Sequence, residues 1–176
     1  MKNITFQQLK EQDYAAFRND VKRIFSIAVI EEFGESQEEG DVIPDEDINL
    51  SLYNPQCEAF FVYDNGNKVG GVAIKKDMDN QCNWLDLFYI YPEYHGKGIG
   101  LRIWQAVEKK YPDTKTWRLV TPYFEKRNIH FYVNKCGFKI VEFFNKHHQD
   151  SDRPSGNTDF HDEYFVFEKK IVKSLL

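Results

Sequence analysis

The expectation for this 176-residue chain is an α/β fold, a mixed sheet with helices on both faces, and three observations carry it. Two β-rich runs, Glu58–Tyr63 and Lys68–Lys75, flank Asp64-Asn65-Gly66-Asn67, the strongest hairpin signal in the chain. A dense aromatic and aliphatic run, Trp84–Tyr91, feeds a glycine-rich turn and then Leu101, Ile103, Trp104 and Val107 at helical spacing. A further strand, Thr116–Thr121, follows that helix. A strand–helix–strand unit is a crossover, so Trp84–Tyr91 and Thr116–Thr121 should lie parallel in one sheet.

The remaining elements follow in order. Ile4–Leu9 is a short strand with weak alternation. From Asp13 to Phe33, Tyr14, Phe17, Val21, Ile24, Phe25 and Ala28 recur at helical spacing, with Asp13 as N-cap and Gly34 as stop. Asp45–Tyr53, between Pro44 and Asn54-Pro55, is a second short helix. Pro92 ends the Trp84–Tyr91 strand because it cannot donate to a ladder. Ile129, Tyr132, Val133 and Cys136 mark a short helix stopped by Gly137. Phe138–Lys146 and His161–Lys169 are the last two strands, with a polar loop between them. The order is β-α-α-β-β-β-α-β-α-β-β, in a single domain spanning residues 1–176.

Composition bounds the function. The chain is 41% hydrophobic and 29% charged, ordinary for a folded protein able to bury its own core. No apolar run has the length of a membrane span, and MKNITFQQLKEQD lacks the apolar stretch of a signal peptide. Cys57, Cys82 and Cys136 are odd in number and without metal-ligand spacing. Together these point to a reducing cytoplasm and no membrane partner. A net charge of -5 argues against a nucleic-acid partner. Nine acids and no Lys or Arg fall within Glu31–Asp47. A solvated loop is the plainer reading of that run; an acidic rim that attracts a cationic substrate is the other.

The turn after Trp84–Tyr91 carries Gly96, Gly98 and Gly100. A strand that enters a helix through small residues aims several unpaired backbone N–H groups at one point, and the helix dipole adds positive potential there. That is a site for phosphate. The dinucleotide fingerprint fails, because Leu101 stands where its third glycine is needed. The P-loop fails too, because it needs Ser or Thr after Gly-Lys and Gly98 follows Lys97.

The remaining spacing, His95-x-x-Gly98-x-Gly100, resembles the pyrophosphate loop of the GNAT superfamily of N-acetyltransferases, which usually carries Gln or Arg where this chain has His95. Further on, PYFEKRNIHFYVNKCGF strengthens the resemblance. Asn128, Tyr132 and Gly137-Phe138 match the family's pattern of Asn near the start of a helix, Tyr within it and Gly-Phe after it. The close match covers about Trp84–Phe144.

The resemblance implies a GNAT-like fold in which the parallel strands splay apart around the pantetheine arm of acetyl-CoA. The arm would pair with the backbone of Phe88, Tyr89 and Ile90. The pyrophosphate would rest on the turn formed by His95, Gly96, Lys97, Gly98, Ile99, Gly100 and Leu101, with Lys97 or Arg102 adding charge. Asn128 would hydrogen-bond the arm. The implied reaction is transfer of an acetyl group from acetyl-CoA to a primary amine of a small molecule or a peptide or protein terminus, by direct attack in a ternary complex.

Such a reaction needs a neutral amine, a donor for the oxyanion and a proton for the thiolate. A backbone N–H near Ile90 is the expected oxyanion donor. Tyr132 matches the family's position for the thiolate's acid; a phenol pKa of ~10 against ~8.5 for a thiol suits that exchange. Asp86, the lone charge in its strand, is the first candidate for the base, since a carboxylate there needs a partner or a function. Glu31, Glu32 and Glu163 are weaker candidates, and water alone is an alternative.

His147, His148, Asp150, His161 and Asp162 invite a metal reading. Adjacent histidines in a strand face opposite ways and a loop separates the two groups, so no metal is expected. A non-catalytic acyl-CoA-binding or sensing module on the same fold is the alternative function. Acceptor identity and oligomeric state, including a homodimer, stay open.

Overall fold

The computed structural model describes residues 3–34, 43–151 and 163–172. The central part of the acidic run, and His161 and Asp162, lie outside them. Seven strands form one sheet in the order β1-β2-β3-β4-β5-β7-β6. They are β1 (Ile4–Gln8), β2 (Cys57–Asp64), β3 (Asn67–Lys75), β4 (Cys82–Ile90), β5 (Thr116–Pro122), β6 (Lys139–Phe144) and β7 (Tyr164–Lys170). The helices are α1 (Tyr14–Phe33), α2 (Asp45–Leu52), α3 (Ile99–Lys110) and α4 (Lys126–His130), the last continued by a π turn over Phe131–Lys135. β4 and β5 are parallel and all other neighbours antiparallel, as the crossover requires. The mixed α/β class and the element order therefore match the expectation.

Each face of the sheet has its own core. α3 is strongly amphipathic, and Ile99, Ile103, Trp104 and Val107 pack with Val72, Leu85, Trp117, Leu119 and Phe167. Trp104 meets Trp117 edge-on at 5.1 Å between ring centroids, a favoured aromatic geometry. On the other face, Phe17 and Val21 of α1 and Ile48 and Leu52 of α2 pack on Phe61, Ala73, Tyr89 and Tyr91. Asp13 does not cap α1 with its side chain. Its carboxylate accepts the Lys10 backbone N–H at 2.9 Å, which closes a 3-10 turn ahead of the helix.

Two departures from the sequence reading shape the centre of the molecule. The β3–β4 register runs Ala73 to Leu87 and then Ile74 to Leu85, so Asp86 is the extra residue of a β-bulge. It is consequently exposed, although the strand reads as covered on both faces. The expected helix Ile129–Cys136 is instead a short α-helix that widens into the π turn, closed by the Cys136 N–H on the Phe131 carbonyl at 3.1 Å. The turn accommodates one extra residue before Gly137, whose φ of +81° ends the segment.

Candidate active site

The parallel ladder between β4 and β5 holds over only three pairs, Cys82–Thr116, Asn83–Trp117 and Trp84–Arg118. Beyond them the strands separate, at the bulge that expels Asp86. Leu85–Ile90 keeps β3 on one side and faces a gap on the other. Ladder alternation decides which backbone groups enter that gap. The Tyr91 N–H bonds the Val69 carbonyl at 2.9 Å, so Tyr91 and Tyr89 turn toward β3, while the N–H and C=O groups of Phe88 and Ile90 turn away from it. Phe88, with its N–H and C=O, and Ile90, with its N–H, thus offer an extended ligand much of what a missing strand would receive.

Tyr89 shares that stretch but is turned aside. Its hydroxyl donates to Asp20 at 3.1 Å within the α1 core. Burial and the adjacent Asp20 push its pKa up. The Tyr89 hydroxyl thus faces α1 and its ladder groups face β3.

At the far end of β4 the chain makes a turn through Pro92–Tyr94 and enters α3. Gly96 and Gly98 both hold φ +72°, in the left-handed region, and Gly98 is the N-cap of α3. The first intrahelical bond comes from Arg102, to the Gly98 carbonyl at 3.3 Å. The N–H groups of Ile99, Gly100 and Leu101 are therefore unused by the helix, and no acid sits in its first turn to compete for an anion. A Cβ at Gly100 would approach Ile90 and Phe131 to 3.2 Å, so this position couples the turn to β4 and to α4's extension. Lys97 reaches back to the Glu93 carbonyl at 2.8 Å, and Arg102 is paired with Asp64 of the hairpin, away from the turn.

His95 joins three elements. One ring nitrogen, Nε2, lies 2.8 Å from the Ile90 carbonyl, and the other, Nδ1, contacts the Arg127 guanidinium of α4. A carbonyl only accepts and a guanidinium only donates. His95 is therefore the neutral Nε2–H tautomer. Burial lowers its pKa most; the Ile90 bond raises it, and Arg127 lowers it further.

Tyr132 sits in the π turn, 7% exposed, against the rings of Phe131, Phe138 and Phe167. Its hydroxyl makes no hydrogen bond among the described residues, yet it is not among the side-chain atoms sealed off without a partner. It therefore opens onto accessible space. Burial raises its pKa, which keeps the phenol protonated and able to donate.

Asn128, in α4, gives its side-chain N–H to Glu125. Asp86 accepts the Ser51 hydroxyl of α2. Glu31 and Glu32, near the end of α1, and Glu163 before β7 are exposed. The structure thus places Phe88 and Ile90 along the gap, joins His95 to the Ile90 carbonyl and packs Gly100 of the α3 turn against Ile90 and Phe131. His148 stacks on Phe144 and approaches Glu142 at 3.1 Å; no group of three or more metal-ligating side chains occurs among the described residues. Nor is any described helix long and apolar enough to cross a membrane.

Sequence reasoning missed Glu125 and Arg127. Glu125 is buried, and burial raises its carboxyl to about 7, partly offset by the Asn128 bond and Arg127. Its one visible signal is a charged residue immediately ahead of the helix. Arg127 had none, because its partner lies on another element.

The model of the acetyltransferase (GNAT) family matches residues 15–138. The uncharacterized protein YrkN of Bacillus subtilis (strain 168) is 43% identical over 179 residues, covering 97% of this chain and 95% of that one. Among solved structures, the PaiA N-acetyltransferase of Thermoplasma acidophilum with coenzyme A superposes with a TM-score of 0.65 at 18% identity, covering 96% and 99% of the two chains. The spermidine N-acetyltransferase of Vibrio cholerae with CoA and spermine gives 0.63 at 16% identity, covering 95% of each. The split sheet, the glycine turn ahead of α3 and the match over residues 15–138 agree: the chain belongs to the GNAT family of acetyltransferases.

Proposed function

We propose that the protein transfers the acetyl group of acetyl-CoA to a primary amine, of a small molecule or of a peptide or protein terminus, by direct attack in a ternary complex. The observation that carries this reading is the gap between β4 and β5, into which Phe88 turns its N–H and C=O and Ile90 its N–H without a ladder partner, while His95 takes the Ile90 carbonyl. The pantetheine arm, a chain of amides, fits there as a surrogate strand. The pyrophosphate is taken by the unpaired N–H groups of Ile99, Gly100 and Leu101, with Gly96 and Gly98 keeping the approach open and His95 and Lys97 bordering it. The CoA named with both solved relatives supports the same ligand.

The chemistry follows from the site. The neutral amine attacks the thioester carbonyl and a C–N bond forms. The backbone N–H of Ile90, turned into the gap, donates to the resulting oxyanion. As the C–S bond breaks, Tyr132 gives its proton to the thiolate and regains one from solvent. Asp86, exposed where the strands part, takes the amine's proton directly or through water. Spermine beside CoA in the Vibrio relative supports polyamines as one acceptor class to test.

A panel of polyamines, amino acids and peptide N-termini, incubated with acetyl-CoA and read out as free thiol, tests the reading. Thiol release that depends on one amine class is the expected result. No amine-dependent release, with acetyl-CoA bound, would instead favour a binding module.

A further inference from the structure

Glu125 has no part in the reaction as described, yet it is among the most buried charged residues, at 9% exposure. It follows β5 and occupies the N-cap position of α4. A cap would aim its oxygen at the N–H groups of its own first turn, and Glu125 makes no such bond. A structural ion pair would turn it to Arg127, but that guanidinium goes to His95. Its side-chain hydrogen bond among the described residues is with Asn128. Burying a carboxylate against a neutral amide is costly, and burial accordingly lifts its pKa to about 7. The titratable groups facing it are Arg127 of α4 and the Tyr132 phenol of the π turn.

We propose that Glu125 is a positioning residue for the cofactor arm. Its carboxylate accepts one Asn128 Nδ2 hydrogen and so presents the Asn128 carbonyl oxygen and the remaining amide hydrogen to an amide of the pantetheine chain. The proposal rests on the acetyl-CoA reading above. The logic is that of donors and acceptors. An ionised carboxylate accepts only, so it dictates which end of the Asn128 amide turns inward. Once protonated, Glu125 carries an O–H donor and no longer distinguishes the two ends. Asn128 is then free to flip, and half of its flips oppose a donor to a donor.

The test is the CoA dissociation constant by calorimetry from pH 5.5 to 8.5, for the wild type, Glu125→Gln, Glu125→Asp, Asn128→Ala and Glu125→Gln/Asn128→Ala. The phosphomonoester of CoA titrates near pKa ~6 in every case, so the readout is the difference in slope between variants. Wild-type affinity should tighten about tenfold more than that of Glu125→Gln as pH rises through 7. Glu125→Asp should restore part of the slope, and the double variant should bind no worse than Asn128→Ala. A wild-type slope in Glu125→Gln, or independent losses in the double variant, would overturn the proposal while leaving the acetyl-CoA reading intact. Unchanged CoA affinity with a shifted acidic limb of kcat would also overturn it, since Glu125 would then act on the amine. Absence of CoA binding by the wild type at every pH would remove the acetyl-CoA reading itself.

Discussion

Trp84 and Arg118 form the last parallel pair between β4 and β5, and the Arg118 guanidinium lies 5.8 Å over the Trp84 ring while donating to Glu168 of β7. One side chain thereby ties β5 to both neighbours at the point where the strands part. Beyond it, β4 is bent by the Asp86 bulge and β5 continues along β7, whose register is unbroken from Thr116 to Pro122. The gap is thus bounded by two strands that are each paired on their outer side, β4 apart from the bulged Asp86. It can receive a ligand without the sheet paying for it by unfolding.

Gly98 is predicted to separate stability from ligand binding. A Cβ there meets nothing within 4 Å, so the first side-chain atom of Gly98→Val has open space. The left-handed backbone would still cost roughly 1–2 kcal/mol, or about 2–8 °C in Tm for a chain of this length. Gly66→Val, at φ +84° in the β2–β3 hairpin with equally open surroundings, should cost about the same. Only Gly98→Val should weaken CoA binding, by about tenfold or more, because it alone disturbs the amides at the start of α3. Equal CoA affinity in the two variants, measured by calorimetry, would refute the role given to the turn.

Tyr132→Phe should lower kcat by about 10²-fold, the scale of a lost general acid, with CoA affinity unchanged. Its hydroxyl has no hydrogen-bond partner among the described residues, so Tm should stay the same or rise. Wild-type turnover would remove the acid role.

Asp86→Asn tests the other proton. If this carboxylate takes the amine's proton, kcat should fall at least tenfold while the CoA dissociation constant is unchanged. Asp86 is exposed and bonded to Ser51, so the variant should remain folded. Unaltered turnover would leave water as the proton acceptor.

His95 carries a pH signature in stability. Its folded pKa is depressed, first by burial and then by Arg127 against the opposing Ile90 bond. The folded protein therefore binds fewer protons at this site than the unfolded chain. The contribution is fully present above the ordinary histidine pKa of ~6.5 and is lost as pH falls through and below it. His95→Gln keeps a donor and an acceptor but does not titrate. The Tm of the wild type relative to His95→Gln should decline between pH 7 and 5. A difference that stays constant over this range would contradict the neutral bridging tautomer.

The sequence-level reading reached the fold because its signals were local. The Asn65-Gly66 turn, the apolar period of α3 and the crossover each act within a few residues of themselves. Gly96 and Gly98 were legible for the same reason, since a left-handed φ leaves glycine in the sequence. What escaped depended on contacts between distant segments. The Asp86 bulge exists only in register with β3, so its run reads as an uninterrupted covered strand. The extra residue of the π turn is invisible to an i, i+3, i+4 pattern, which Ile129, Tyr132, Val133 and Cys136 satisfy either way. The burial of Glu125 and the link from His95 to Arg127 arise from packing of α4 against the α3 turn, and no spacing in either segment encodes them.

The most direct test of the whole account is the thermal shift produced by acetyl-CoA, set against ATP and NAD at equal concentration. At a hundredfold excess over the dissociation constant, binding to the folded state adds about 2.7 kcal/mol, or about 5–10 °C for a chain of this length. The account predicts a rise of that size with acetyl-CoA and little with ATP or NAD, neither of which has an arm to fill the gap beside Phe88 and Ile90. No shift with acetyl-CoA, or an equal shift with all three, would contradict it.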